Sequence, residues 1–440
     1  MRSWLASVLL LGCVKITPAV HATPPAPPPV VSKVEVPARI EAWTPPSCPA
    51  LDPGAAPAAV EVPKIVDASG RGLARFHARL AELTRGTSKE PLRIAIYGDS
   101  NMTTDRISGE LRRRLQGRFG DAGHGFVALG KPWNWYLHTD VLHDYWATSF
   151  KTYAVSSAPV LDRIYGLAGI AVEPLHPGAT TWVKTSDAGP VGHTFDRLEL
   201  FYLENQGAGR VTVRVDGADL KTLDARGKAP KIRTERFELP DAPHKVEIVS
   251  ASVAPTRLFG VTLERANGVV VDSLGVGALN SRILARLEPD STRTMLAMRR
   301  YDLVIFLLDT TLYTWSEEHL RLVRQLIELQ RSATPDVSLL VLTPPDHVTD
   351  KKAAHSDPRV VRIANEKRLI AEKNETAFWD LREAMGGDRS IVKWSDQGLA
   401  WTDFIHFNEK GARKVGEMFT SALWQDFVAF AAANPRAGCD

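Results

Sequence analysis

Gly98-Asp99-Ser100 follows the apolar run Ile94-Ala95-Ile96-Tyr97, and far downstream Asp403-Phe404-Ile405-His406 stands just ahead of a helical stretch. A serine hydroxyl attacks poorly until a base takes its proton, and a histidine steadied by a carboxylate is a suitable base. A serine on a turn after a buried strand, with Asp and His downstream, therefore points to acyl transfer through a covalent acyl-serine. Ser100 is read as the nucleophile, His406 as general base and then general acid, and Asp403 as the group that fixes the imidazole tautomer.

Other residues invite different chemistry. His138, Asp140, His143 and Asp144 cluster in sequence, but no His-Glu-x-x-His or paired-cysteine motif accompanies them. A polar, aromatic-rich loop accounts for them, and no metal or cofactor is expected. The aromatics beside them, Trp133, Trp135, Tyr136, Tyr145 and Trp146, are read as packing residues or as platforms for a sugar face.

The elements that must position the serine are visible in the periodicity. Leu73, Phe76, Leu80 and Leu83 recur at helical spacing, the strand Arg93–Tyr97 follows, and Ile107, Leu111, Leu115 and Phe119 mark one face of a second helix. Between about 150 and 265 the period changes to two. Val211-Thr212-Val213-Arg214-Val215, Lys245-Val246-Glu247-Ile248 and Phe259-Gly260-Val261-Thr262-Leu263 alternate, with turns such as Asp216-Gly217 between them. Short alternating strands without helices imply an antiparallel β-sandwich, separable from the rest. After Asn267-Gly268 come apolar runs at 269–271, 303–308, 337–342 and 377–379, spaced by helices, which implies a parallel sheet covered on both faces. Ala412, Val415, Phe419 and Leu423 mark the closing helix.

The expected organisation is an export segment at 1–22, a Pro/Ala-rich tether at 23–64, a discontinuous α/β/α core at 65–150 and 268–428, an inserted sandwich at 151–267, and a tail at 429–440. The first segment has Arg2, an apolar stretch from Trp4 to Val14, and Val20-His21-Ala22, which suits signal cleavage. That stretch is too short to span a bilayer. Leu10-Leu11-Gly12-Cys13 also fits a lipidation signal, so a lipid anchor at Cys13 is the second reading. Both readings place the protein outside the cytoplasm, in the periplasm, tethered to an outer membrane or secreted. The chain holds three cysteines. With Cys13 removed or lipidated, Cys48 and Cys439 are either bridged in an oxidising compartment or exposed thiols on loose tails. The 440 residues carry 54 Lys+Arg against 51 Asp+Glu. This near-balance gives no case for a nucleic-acid partner.

Gly98-Asp99-Ser100 and Asp403-x-x-His406, the latter followed by Phe407-Asn408-Glu409-Lys410-Gly411, resemble blocks of the SGNH/GDSL hydrolase superfamily. Phe119-Gly120-Asp121-Ala122-Gly123-His124-Gly125-Phe126 and Asp272-Ser273-Leu274-Gly275-Val276-Gly277-Ala278 are similar to its branch of bacterial peptidoglycan O-acetylesterases, in which a carbohydrate-binding-module-like sandwich interrupts the core. The resemblance implies an oxyanion hole from the backbone N–H groups of Ser100 and Gly277 and an Asn amide from a Gly-x-Asn block. Here that block reads Asp309-Thr310-Thr311, leaving Thr311 to offer a hydroxyl. The alternative for Gly277 is a plain turn glycine. The implied partner is an O-acylated polysaccharide such as peptidoglycan. An esterase, a glycan O-acyltransferase using the same triad, and a glycan binder with a degenerate site remain as readings.

Overall fold

The computed structural model describes residues 48–55, 60–144, 148–312 and 314–439. The export segment with Cys13, the tether up to Ser47, Tyr145 and Trp146 lie outside the described residues.

The strands in chain order are β1 (Leu92–Gly98), β2 (Gly125–Ala128), β3 (Val141–Asp144), β4 (Phe150–Ala154), β5 (Ile170–Pro174), β6 (Thr180–Thr185), β7 (Phe195–Glu204) and β8 (Arg210–Val215). They continue with β9 (Ala218–Asp224), β10 (Lys231–Ala242), β11 (Lys245–Ser250), β12 (Leu258–Glu264), β13 (Val269–Gly275), β14 (Leu303–Leu307), β15 (Ser338–Leu342) and β16 (Ala377–Trp379). The helices are α1 (Ala74–Arg85), α2 (Arg106–Phe119), α3 (Ser281–Leu284), α4 (Pro289–Arg299), α5 (Ser316–Ala333), α6 (Pro358–Lys373), α7 (Leu381–Ala384), α8 (Ser390–Asp396) and α9 (Glu409–Ala433).

The apolar runs form a parallel sheet in the order β13-β1-β14-β15-β16. Neither face of this sheet can meet water. Ile94, Ile96, Val271 and Ile305 bury one face with the apolar stripes of α1, α2 and α9, including Phe76, Leu111 and Phe419. Tyr97, Leu274, Val304 and Phe306 bury the other with Leu326 and Ile327 of α5. Near-continuous apolar strands are what a doubly covered parallel sheet requires.

The alternating strands form two antiparallel sheets, β10-β7-β12-β5-β4 with β2 beside β12, and β3-β6-β11-β8-β9. Their facing sides share one core through Leu198, Leu200, Val211, Val213, Ile248 and Val261. The other side of the first sheet, with Phe126, Phe201 and Phe259, joins the second cluster of the parallel sheet. This explains why β12 is buried at every position.

Three expectations are corrected. The segment up to residue 150, assigned to the core, contributes β2, β3 and β4 to the antiparallel sheets. The tether is already docked from Cys48, because Leu51 is buried, its N–H donates to the Pro435 carbonyl at 2.8 Å, and Trp379 Nε1 donates to Pro63 O at 2.9 Å. The tail is anchored too: α9 runs to Ala433, Arg85 donates to the carbonyls of Ala437 and Pro435, and Cys439 is joined by a disulfide to Cys48 across a Cα–Cα distance of 6.2 Å. Among the described residues no helix is long and apolar enough to cross a membrane.

Candidate active site

β1 delivers Asp99, Ser100 and Asn101 to the carboxyl edge of the parallel sheet, where crevices of open α/β sheets form. Gly98 and its neighbour Gly275 on β13 leave room for Met102, which a Cβ on either would strike. The turn closes through the Met102 N–H, which donates to Asp99 O at 2.9 Å. The Asp99 carboxylate points inward and accepts from the N–H groups of Asn101 at 3.1 Å and Thr310 at 3.3 Å. Burial raises its pKa, against those hydrogen bonds.

The histidine arrives on the loop between α8 and α9. Phe404 takes a left-handed φ of 56°, which folds the loop so that one Asp403 oxygen accepts from the N–H groups of Ile405 and His406, both at 3.0 Å. The other oxygen lies 2.8 Å from His406 Nδ1. Partial burial would push the Asp403 carboxyl up, but these hydrogen bonds outweigh it and hold it below the usual carboxylate range. His406 Nε2 lies 2.8 Å from Ser100 Oγ. With Nδ1–H donated to Asp403, Nε2 is the acceptor for the serine hydroxyl, the geometry proton abstraction needs. Asn408 then caps α9, its Oδ1 accepting the Gly411 N–H at 3.1 Å.

These residues line a cleft of about 580 Å³ together with Asn101, Thr104, Arg106, Trp133, Trp135, Leu137, Gly277, Ala278, Trp401 and Phe407. Gly277 sits in a turn closed by the Leu279 N–H donating to Val276 O at 3.1 Å. Among the described residues neither the Ser100 N–H nor the Gly277 N–H has an intramolecular acceptor, so two backbone donors on the cleft wall are unspent.

Thr311 is not brought to the cleft lining. The strand end instead turns at Asp309, which holds a left-handed φ of 80° and is buried. Its carboxylate accepts the Ser281 N–H at 2.7 Å and lies 3.3 Å from His319 Nε2 and 3.2 Å from Lys367 Nζ. Burial would raise Asp309, yet Lys367, His319 and the Ser281 N–H hold it well below the carboxylate range. Its charge is thus spent on the interior, and Lys367 also ties the ends of β14 and β15 through Leu308 O at 2.6 Å and Leu342 O at 3.1 Å.

The histidine-rich stretch is an anchor behind the site. Asp105, at the start of α2, accepts both Arg112 nitrogens at 2.9 and 3.1 Å and the Thr139 N–H at 2.9 Å. His138 is buried between His124, 3.3 Å away, and the Tyr136 hydroxyl, 3.0 Å away. Asp105, His124 and His138 offer ligand atoms within 4.8 Å of one another. A cation there would face the buried Arg112 guanidinium, so the donor set does not favour a metal. Asp140 pairs with Arg113 at 2.9 Å, and Asp144 ends β3.

Sequence reasoning passed over Asn101 and Trp401. Asn101 directly follows the nucleophile and Trp401 stands two residues before the carboxylate, and adjacency to the motif was the available signal.

Neither a protein-family model nor a curated protein sequence matches the chain. Among solved structures, a peptidoglycan O-acetylesterase superposes with a TM-score of 0.71 at 22% identity, covering 83% of this chain and 99% of that one. A family two carbohydrate esterase from Cellvibrio japonicus (TM-score 0.27, 12% identity, 69% and 98% coverage) and a lipase/acylhydrolase from Enterococcus faecalis (0.29, 14%, 36% and 77%) are too distant in overall shape to add weight. In fold, then, the chain is like the peptidoglycan O-acetylesterase: a parallel-sheet α/β core interrupted by an antiparallel β-sandwich.

Proposed function

We propose that this protein is an exported serine esterase that removes acetyl or similarly small acyl groups from a cell-wall polysaccharide. The observation that carries the reading is the continuous relay Ser100 Oγ, His406 Nε2, His406 Nδ1 and Asp403, opening on a cleft beside two unspent backbone N–H groups. Ser100 Oγ attacks the acyl carbon as its proton passes to His406. The tetrahedral oxyanion is met by the N–H groups of Ser100 and Gly277. His406 then gives the proton to the departing sugar oxygen, leaving acyl-Ser100 and the free glycan hydroxyl. Water, deprotonated by the same His406, releases acetate and restores the serine.

The shared fold with a peptidoglycan O-acetylesterase supports peptidoglycan as the first polymer to try. The amino-terminal export pattern and the Cys48–Cys439 bridge support an oxidising, extracytoplasmic location.

The test is acetate release from O-acetylated peptidoglycan, and hydrolysis of an aryl acetate, by the purified chain. Ser100→Ala and His406→Ala should each lower turnover by at least about 10³-fold, and Asp403→Asn by less. Full activity in the Ser100→Ala protein ends the reading.

A further inference from the structure

Two sets of tryptophans on separate loops line the cleft that holds Ser100, and the hydrolytic relay uses none of them. Trp401 belongs to the loop that carries the general base, and its backbone N–H donates to His406 O at 2.8 Å. Trp133 and Trp135 come from the chain after β2 and line the same cleft. Trp133 lies against Gly277, with two ring carbons 3.2 Å from where a Cβ on that glycine would sit. Trp135 stacks on Trp133, centroids 6.1 Å apart and planes 16° apart.

Trp135 and Trp401 are 58% and 59% exposed, yet both line the cleft that holds the nucleophile. A single exposed indole needs no explanation, but two facing one reactive cleft form an apolar surface awaiting a flat apolar face. The cleft's charges are already committed. Arg106 pairs with Glu409 at 3.0 Å, and Asp403 is engaged by His406. Among the described residues, each charged side chain of the lining already has an ion-pair partner.

We propose that Trp401 and Trp135 are sugar platforms on the two sides of the scissile ester, so that the substrate is a chain of pyranose units whose rings carry no carboxylate, uncharged where they meet the indoles, and which is acylated at an internal unit. The placement of the ester rests on the esterase reading of Ser100. His406 returns its proton to the departing oxygen, so the unit losing its acyl group stands on the His406 side, beside Trp401. The Trp133–Trp135 pair, on the Gly277 side, takes the neighbouring unit. A pyranose presents an axial C–H face that an indole can cover, which is how aromatic rings hold uncharged sugars without a salt bridge.

Binding is measured first in the Ser100→Ala protein, with tetra-N-acetylchitotetraose and tetragalacturonate, by tryptophan fluorescence and calorimetry. Chitotetraose should bind, Trp401→Ala and Trp135→Ala should each raise its Kd by about tenfold or more, and Trp401→Phe should recover most of the loss. Tetragalacturonate should bind at least about tenfold more weakly. No binding of chitotetraose, or equal binding by the alanine variants, overturns the platforms, and equal binding of tetragalacturonate overturns the uncharged class. In the active protein, Trp401→Ala should raise KM on O-acetylated polymer well beyond its effect on kcat/KM for an aryl acetate. An equal fall on both substrates would assign the tryptophan to supporting the His406 loop instead. Failure of the parent chain to hydrolyse any ester would sink the esterase reading alone, because the binding arm needs no turnover.

Discussion

Asn101 Oδ1 accepts the Phe407 N–H at 2.9 Å, so the residue after Ser100 holds the residue after His406. Its amide also reaches Ile405 O at 3.4 Å. The serine turn and the histidine loop are distant segments of the chain, and this side chain ties them together beside the Ser100–His406 hydrogen bond. Asn101→Ala should lower kcat on an aryl acetate by roughly 10- to 100-fold, because small misplacement of a proton-transfer pair is expensive in rate. Turnover within twofold of the parent would show that packing alone holds the two loops in register.

Thr311, expected as the third oxyanion donor, stays away from the cleft lining. Thr311→Val should therefore leave kcat within about twofold, whereas loss of a true oxyanion donor costs about 10²- to 10³-fold. A loss of that larger size would mean that the turn rearranges when substrate binds.

The pH dependence of stability should carry the mark of the buried histidine anchor. Burial is the main cause that pulls His138 from its ordinary 6.5 down to about 4, so the folded protein keeps it neutral where the unfolded chain protonates it. Between those two values the unfolded state binds more protons, and stability falls as pH is lowered through that window. The urea midpoint should drop from pH 7 to pH 5, before most carboxylates titrate, and His138→Gln should flatten the slope. A flat profile in the parent would remove His138 as its source.

Removing the sandwich should not leave a working hydrolase. Phe201 and Phe259 of its first sheet share a buried cluster with Tyr97, Val304 and Phe306 of the parallel sheet. Excision of about 155–265 would expose one face of the central strands, each large side chain losing about 1.5–3 kcal/mol of burial. The shortened chain should be insoluble or molten and inactive on aryl acetate and polymer alike. Selective loss on polymer would instead restore the idea of a detachable module.

The bridge between Cys48 and Cys439 spans 391 residues of sequence. In the chain-entropy view it stabilises by up to about 5 kcal/mol. Cys48→Ala with Cys439→Ala should lower Tm while leaving aryl acetate turnover unchanged, because the bridge lies far along the chain from the His406 loop. Alkylation of both residues without reductant would show that the bridge does not form.

The parallel strands were legible because burial on both faces writes itself as unbroken apolar runs, as in Leu303–Leu308. Of the sandwich strands, β8, β11 and β12 were legible from alternation, but β2 and β3 were not, since four residues such as Gly125–Ala128 carry no period. The separability of the sandwich was misjudged for a related reason: β12 is buried on both faces, and periodicity does not say against what. Ser100, Asp403 and His406 stood in recognisable runs and lie within hydrogen-bonding reach. Asp309 did not disclose its role, because its partners Lys367, His319 and Ser281 come from three distant segments. Trp401 carried only its adjacency to the Asp403 run, since exposure on a cleft is a property of the assembled walls.

The position of β1 inside the sheet also governs how the chain must be made. Its two neighbours, β13 and β14, both come after the sandwich, so the strand that leads to Ser100 has no neighbour in the sheet until the chain beyond about residue 268 is available, and its second only beyond residue 302. Such long-range pairing is slow to form and leaves Ile94-Ala95-Ile96-Tyr97 open to wrong partners meanwhile. The last helix and the histidine loop arrive later still. Ser100 and His406 therefore come together only once the strands on both sides of β1 and the segment ahead of α9 are in place.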